Sequence, residues 1–316
     1  MHNCVICNNS FENKIFEAKE MMFGFRDKFE YFQCSKCGCV QIAMIPLNIG
    51  KYYPSQYYSY SDKKHKTIGN KIKDYLLPCS MNFRMGLSNS LTAWISNFRY
   101  RTTFSWLNED IGRYYNKSVL DVGCGSGLLI SYFKKCGFKK LTGIDPYLSE
   151  SINGDNFSLL KKELFELEVK FDLIMFHHSF EHMENPQQIF EKLYNLLNED
   201  GLLIIRIPLS DSYAWRKYGT SWFSMDVPRH FYLHTVKSIN ILVEKYNFHI
   251  DKIIYDSTWQ QIYFSESYQR NIALNEKFDE FSKKNTNNFK NKATQLNKLM
   301  DGDQACFYIS KNNFKI

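Results

Sequence analysis

The stretch Val119-Leu120-Asp121-Val122-Gly123-Cys124-Gly125-Ser126-Gly127 limits what this chain can fold into more than any other. A β-prone run ends in a glycine-dense turn, and Leu128, Leu129 and Phe133 follow at helical spacing, so the segment reads as strand, tight loop, helix. A chain that leaves a strand, reverses and enters a helix over so few residues needs positive φ and no Cβ where a ligand lies against backbone. The glycine spacing is G-x-G-x-G, not the G-x-G-x-x-G of a dinucleotide site with pyrophosphate at the helix N-terminus. Asp121, two residues before the first glycine, would sit badly beside a pyrophosphate and suits a ligand carrying an ammonium group.

The residues that follow extend the pattern. Lys140–Asp145 reads as a second strand ending in an acid 18 positions after Gly127, where a carboxylate can accept bonds from both ribose hydroxyls. The polar segment from Pro146 is short, so the second crossover helix is expected to be truncated, and Phe157–Leu160 reads as a third strand. Phe171–Phe176 reads as a buried parallel strand running into His177-His178-Ser179-Phe180-Glu181-His182, at the sheet edge where ligands of open αβ folds gather. A helix follows with Asn185 as cap, Pro186 at its first position and Ile189, Phe190, Leu193, Leu196 and Leu197 on one face. Asp200-Gly201 makes a turn into strand Leu202–Pro208, and helix Val236–Tyr246, strand Ile250–Tyr255 and a last strand Ala305–Ser310 complete the pattern. Strands alternating with helices predict an α/β class with a parallel sheet and right-handed crossovers.

In its D-x-G-x-G-x-G form, and over roughly residues 113 to 260, the chain resembles class I S-adenosylmethionine-dependent methyltransferases. The resemblance implies a Rossmann-like sheet, mostly parallel with the last strand antiparallel. It implies that S-adenosylmethionine is the cofactor, held by Asp121, Gly123, Gly125 and Gly127 with Asp145 on the ribose and His177 nearby. Glu163 falls where the family holds the adenine, often with Asp. Methyl transfer from a sulfonium is an in-line displacement for which an enzyme supplies position, a dry site and, where the nucleophile carries a proton, a base. Glu181-His182 resembles the E-H element of small-molecule O- and C-methyltransferases acting on sugars, quinones and similar acceptors. Neutral His182 is the first candidate base, with His178 behind it. Glu181, its sequence neighbour, would diverge from it on a helix and is read as a ligand for substrate or a divalent ion. For each single residue the alternative is a satisfied polar group capping a helix.

Upstream, Cys4-Val5-Ile6-Cys7 and Cys34-Ser35-Lys36-Cys37 are two C-x-x-C knuckles with 26 residues between them. Each lets two thiolates reach one tetrahedral ion from a tight turn, and the pair completes a closed Zn-S4 set, the signature of a structural site. The alternative is a set of reduced cysteines in a small β fold. Cys39 is a fifth thiol that the set does not need. Next comes the tyrosine-rich run Tyr52-Tyr53-Pro54-Ser55-Gln56-Tyr57-Tyr58-Ser59-Tyr60, either packed on the main domain or lining a substrate cleft. Residues 67–112 are helix-rich, with Leu91, Trp94, Ile95 and Phe98 at core spacing. An insertion at about 209–234 carries Trp215, Trp222, Asp226, Arg229 and His230. It reads as a substrate cap in which His230 and Asp226 form a second candidate pair, or as a packed connector in which Asp226 and Arg229 pair with each other. Three segments follow: a zinc-binding module over 1–60, a helical linker or lid over 61–112, and a methyltransferase domain over 113–316.

Charge weighs against nucleic acid as partner. The net +7 is not concentrated on the knuckles, where residues 1–60 carry 6 basic and 5 acidic side chains, nor on residues 113–260, with 17 and 18. Lys63, Lys64, Lys66, Lys71 and Lys73 read as a solvated helical face. No apolar run has the length of a membrane span, the start lacks a signal-peptide core, and nine cysteines are an odd number for a disulfide framework, so a cytoplasmic protein is expected. The wider combination of double knuckle, tyrosine-rich link, H-H-S-F-E-H and W-x-x-x-D-x-P-R-H resembles methyltransferases encoded among bacterial surface-polysaccharide and nucleotide-sugar genes. Some zinc-bearing relatives are sugar C-methyltransferases with a further C-terminal domain. No such segment is recognised in this sequence, so the expected reaction is O-methylation of a small-molecule sugar or glycan. Sugar C-methylation, RNA methylation, for which a salt-sensitive basic footprint would be needed, and an inactive interaction protein remain the alternatives.

Overall fold

A computed structural model of the chain describes residues 2–54, 68–100, 103–276 and 283–312. In chain order the first elements are β1 (Lys14–Lys19), β2 (Lys28–Gln33), β3 (Val40–Ile42), α1 (Ile68–Arg84), α2 (Leu91–Arg99) and α3 (Glu109–Gly112). The central run is β4 (Ser118–Val122), α4 (Leu128–Lys135), β5 (Lys140–Ile144), β6 (Ile152–Gly154), β7 (Phe157–Leu160), β8 (Phe171–His177), α5 (Pro186–Leu196) and β9 (Leu197–Pro208). Then come α6 (Tyr213–Tyr218), β10 (Tyr232–Leu233), α7 (Val236–Lys245), β11 (Phe248–Tyr255), α8 (Gln260–Gln269), α9 (Lys283–Lys298) and β12 (Gln304–Lys311). The chain forms two compact units, one of Met1–Pro54, His178–Glu191 and Arg206–Phe307, the other of Ser55–His177, Lys192–Ile205 and Tyr308–Ile316. No helix among the described residues is long and apolar enough to cross a membrane.

An eight-stranded sheet runs β11-β12-β9-β8-β4-β5-β7-β6. β4 pairs in parallel with both β5 and β8, and β5 with β7, while β6 and β7 form an antiparallel pair. Chain order therefore reverses at β4, so the carboxyl ends of β4 and β8 flank the switch point at which such sheets bind ligands. The strands read as near-continuous apolar runs because both faces are covered: Val119, Leu120, Leu173, Ile174, Met175 and Phe176 are fully buried. The last strand, β12, inserts between β9 and β11.

Two expectations shift within the unit of the glycine loop. Between β5 and β7 the described residues hold no helix, and the expected truncation is taken up by the β6–β7 hairpin. Strand β9 begins at Leu197 and passes through Asp200-Gly201, where a turn was expected. Buried Leu197, and the bond from Asn198 Nδ2 to Asp172 Oδ1 at 2.8 Å, hold this stretch extended.

Helix α2 corrects the core reading. Leu91, Trp94, Ile95 and Phe98 are 72%, 58%, 52% and 73% exposed, and the buried residues of α2 are Ala93 and Ser96. Residues this small let α2 approach α1 closely, which a large apolar face would prevent. The helix itself starts where Ser90 Oγ accepts from Ala93 N at 3.2 Å. Lys73 on α1 is exposed; Lys63, Lys64 and Lys66, like Ser55–Tyr60 of the tyrosine-rich run, lie outside the described residues.

In the other unit, β1-β2-β3-β10 form a four-stranded sheet. β1 pairs antiparallel with β2, β2 with β3, and β3 with β10, where Tyr232 faces Gln41 and Leu233 faces Val40. The chain's first strands are thus completed by a two-residue strand from the 209–234 insertion.

Candidate active site and cysteine cluster

The glycine loop is held open by backbone bonds that require its glycines. Gly123, Gly125 and Gly127 have φ of 72°, 51° and 76°. The amides of Gly123 and Cys124 donate to Ile144 O at 2.8 and 3.0 Å, which turns the loop over the end of β5. A Cβ on Gly127 would meet Leu159 Cδ1 at 2.6 Å, so this position tolerates no side chain without movement. Asp145, at the tip of β5, accepts from Gly125 N at 3.0 Å and Tyr147 N at 2.9 Å, and its second lone pairs stay available to hydroxyls. Asp121 is buried (3% exposed); burial, and then the charge of Asp145, push its carboxyl up to about 8. Burial also raises Asp145, against the pull of its two backbone donors. Two carboxyls that resist ionising together are a site prepared for a cation.

Glu163 and His177, read as neighbours of the cofactor, have local partners. Glu163 N donates to Glu166 Oε2 at 2.6 Å in a capping box over the 3-10 turn Leu164–Glu166. The His177 ring, at the end of β8, sits 5.5 Å from Trp106 and 6.2 Å from Phe104.

The other unit gathers Glu181, His182 and His230. Phe180–His182 is a single 3-10 turn between β8 and α5. One donor atom of each residue lies within 4.8 Å of the others. His182 Nδ1 bonds Arg229 O and His230 Nδ1 bonds Ser224 O, both at 2.8 Å. Since a carbonyl only accepts, both rings carry a proton on Nδ1 and turn Nε2 to other partners. Glu181 is fully buried, and neither of its carboxylate oxygens has a hydrogen-bond partner among the described residues. Its Oε1 lies 3.8 Å from His230 Nε2 and 3.4 Å from His178 Nδ1. Burial, and then the neighbouring His230, lower His182 to about 4. Tyr53, from the tyrosine-rich run, brings its hydroxyl to 3.3 Å from His182 Nδ1.

His178 is engaged elsewhere. Arg206 Nη1 donates to its Nε2, and the same guanidinium pairs through Nε with Asp256 Oδ2 at 2.9 Å. Burial, followed by the Arg206 charge, holds His178 well below its usual value, so it stays neutral.

The insertion is built around a buried ion-pair group. Arg229 is fully buried and donates to Asp226 at 2.5–3.1 Å, to Tyr52 O at 3.0 Å and to Glu20 Oε1 at 3.4–3.5 Å. Burial opposes ionisation of Asp226, and Arg229 outweighs it, holding the carboxyl below its usual value. Glu20 also accepts from the amides of Met22, Phe23 and Phe25 at 2.8–3.0 Å. Sequence reasoning missed Glu20 entirely, because no spacing links it to a residue some two hundred positions away. Trp222 is buried, with Nε1 donating to Asp303 Oδ2 at 2.8 Å, and Trp215 packs edge-on against Phe16 and Trp222. Of the five residues read as a cap, Trp215 and Trp222 are packed into the protein, Asp226 and Arg229 pair with each other, and His230 faces Glu181.

Cys4, Cys7, Cys34 and Cys37 form a second group able to hold one ion. Sγ–Sγ distances are 3.6 Å for Cys4–Cys37 and 3.5 Å for Cys7–Cys34. Four sulfurs at about 2.3 Å from a tetrahedral zinc lie about 3.8 Å apart, so the donors are already near their ligating separation. Gln41 Nε2 donates to Cys4 Sγ at 2.9 Å and the Cys37 amide faces Cys34 Sγ at 3.5 Å, donors of the kind that steady thiolates. Cys39 is fully buried outside the set.

Comparison with known proteins bears on the glycine-loop unit. Residues 98–253 match the family described as Methyltransferase domain. This segment is similar to methyltransferase domains. Among curated proteins the chain is 31% identical to ubiquinone biosynthesis O-methyltransferase of Glaesserella parasuis, over 32% of this chain and 49% of that protein. It is 32% identical to (S)-coclaurine N-methyltransferase of Papaver somniferum, over 28% of this chain and 29% of that one. The chain thus spans about half the length, or less, of these relatives. Among solved structures, a SAM-dependent methyltransferase from Archaeoglobus fulgidus aligns with a TM-score of 0.40 at 20% identity, over 69% of this chain and 98% of that one.

Proposed function

We propose that the chain is an S-adenosylmethionine-dependent methyltransferase acting at an oxygen of a sugar, nucleotide-sugar or surface-polysaccharide precursor. The observation that carries the donor is the buried Asp121–Asp145 pair around the glycine loop, set at the end of β4 where the sheet changes direction. S-adenosylmethionine, when bound, supplies an electrophilic methyl group on a sulfonium. Asp121 would meet its ammonium group, Asp145 its ribose hydroxyls, and the amides of the open glycine loop would lie against it. A neutral imidazole suits an acceptor that must give up a proton: burial holds His182 low, and the Arg229 carbonyl fixes the ring in the tautomer that turns Nε2 toward the acceptor. The sugar class rests on the combination of double knuckle, tyrosine-rich run and insertion; the printed activities of the relatives concern other acceptors.

The cysteine set fits zinc in donor chemistry and separation, and Cys4, Cys7, Cys34 and Cys37 would hold it as a closed structural site within a module over residues 1–60. Calorimetry with S-adenosylmethionine and its demethylated product tests the donor: saturable binding is expected, and no heat from either ligand would end the reading. A screen of nucleotide-sugars with the donor, read by product mass and fragmentation, then locates the methyl on oxygen or carbon.

A further inference from the structure

Glu181 is the one carboxylate in this unit that is wholly buried with both oxygens lacking a hydrogen-bond partner among the described residues. The other wholly buried carboxylates are compensated: Glu20 by three amides and Arg229, Asp226 by Arg229, Asp303 by Trp222 and Ser224, Asp256 by Arg206. An isolated buried carboxylate is costly, and natural proteins retain one where a cation or a polar ligand meets it. Two imidazoles are beside it, and both are arranged as ligating histidines are. Each donates Nδ1–H to a backbone carbonyl, which fixes the ring and frees Nε2. We propose that Glu181, His182 and His230 bind a divalent transition-metal ion, with Nε2 of each ring and the Glu181 carboxylate as ligands.

Three features support the assignment. One donor atom of each residue lies within 4.8 Å of the others, and donors about 2.1 Å from an ion sit roughly 3–4 Å apart, so closing about 1–2 Å completes the set. The set is two nitrogens and a carboxylate on only three residues, which leaves coordination positions open to solvent or to an acceptor oxygen, unlike the closed thiolate set. The cations already present are committed: Arg229 to Asp226 and Glu20, Arg206 to Asp256 and His178. A borderline ion such as Fe2+, Co2+ or Zn2+ matches imidazole and carboxylate better than Mg2+ or Ca2+ does, and the harder Mn2+ serves as a paramagnetic probe of the same donors. Its catalytic use rests on the methyl-transfer reading, since a metal-bound acceptor hydroxyl loses its proton more readily; the ion site itself does not.

The test uses the full chain with its cysteine set first loaded with zinc and the metal counted by mass spectrometry. Titration with Mn2+, with free Mn2+ followed by electron paramagnetic resonance and no methyl donor present, is expected to show saturable uptake of a single ion per chain. Glu181→Gln and His230→Ala should each weaken it more than about 100-fold, beyond the 10–100-fold typical for losing an outer partner. The variants must retain zinc content and melting behaviour. Should they not fold, Co2+ added to the zinc-loaded wild type gives the answer: an added ligand-field spectrum without thiolate charge transfer supports the site. Absence of Mn2+ and Co2+ uptake by the wild type, or uptake untouched by a folded Glu181→Gln, overturns it. Donor calorimetry is a separate measurement, so failure of the metal site and failure of the methyl-transfer reading are distinguishable.

Discussion

Arg229 Nη2 lies 2.5 Å from Asp226 Oδ1, in an ion pair that leaves the arginine side chain wholly out of contact with solvent. The same guanidinium reaches Glu20 at 3.4 Å, so one cation compensates two buried carboxylates. Removing it leaves both stranded. Arg229→Met is expected to destabilise the protein by about 3–5 kcal/mol, and Arg229→Lys to recover only part of that, since a point charge cannot serve both acids. Denaturant titration reads both, and a loss under 1 kcal/mol for the methionine variant would contradict the geometry.

Gly127 combines a left-handed φ of 76° with a Leu159 methyl group 2.6 Å from where a Cβ would stand. The conformation alone costs a non-glycine residue about 1–2 kcal/mol. Gly127→Ala should lower the melting temperature and weaken binding of the demethylated donor about tenfold. Equal affinity in the variant would show that the loop does not touch the ligand.

Asp121, with its carboxyl pushed up to about 8, carries its proton at neutral pH in the ligand-free protein. The donor's ammonium favours the ionised form, so binding at pH 7 should release about one proton, and affinity should rise between about pH 6 and 8. Linkage has the matching sign for stability. A raised carboxyl stabilises fully below its unfolded value and loses that contribution as pH climbs from about 4 through about 8, so the ligand-free protein weakens across that window and is level above it, and the donor offsets the loss. Calorimetry in buffers of different ionisation enthalpy counts the proton; Asp121→Asn should abolish its release.

His234 is fully buried against Phe180, and burial lowers its pKa to about 3. Its folded value lies below the unfolded one, so its contribution is intact above about pH 6.5 and drains away as pH falls toward 3. By pH 4 the loss is about 3 kcal/mol. His234→Phe should flatten acid unfolding across that window, whatever it costs at pH 7. An unchanged acid midpoint would mean that another group governs the transition.

His182→Ala should leave donor affinity as it is and lower turnover about 100-fold or more, the scale of losing a general base or the ligand that prepares the acceptor. Steady-state kinetics beside donor calorimetry separates the two quantities, and full turnover in the variant would move proton removal elsewhere.

The alternating strands and the glycine loop were legible because period and punctuation are local: Phe157–Leu160 forms a strand over those very residues. The apolar spacing of α2 misled for an equally physical reason. Leu91, Trp94, Ile95 and Phe98 mark one helical face, but spacing does not say whether anything covers it, and the buried contact is made by Ala93 and Ser96. The pairing of Asp226 with Arg229 was one of the two sequence readings of the insertion, yet the surroundings that decide between them were not visible. These are Glu20, which turns Arg229 into framework, and a 3-10 turn too short to leave a periodic trace, which brings Glu181 to His230.

The four-stranded sheet of the first unit has a wider implication. Its fourth strand, Tyr232–Leu233, begins two residues after His230, whose carbonyl receives the Tyr31 hydroxyl at 2.9 Å, and Thr235 Oγ1 donates to Cys37 O at 2.6 Å. The cysteine knuckles therefore serve as a splint for the histidine rather than as a detachable tag. A chimera receiving residues 1–54 alone would inherit five thiols and a sheet one strand short, and swapping the insertion between relatives would remove the strand that backs the cysteine cluster.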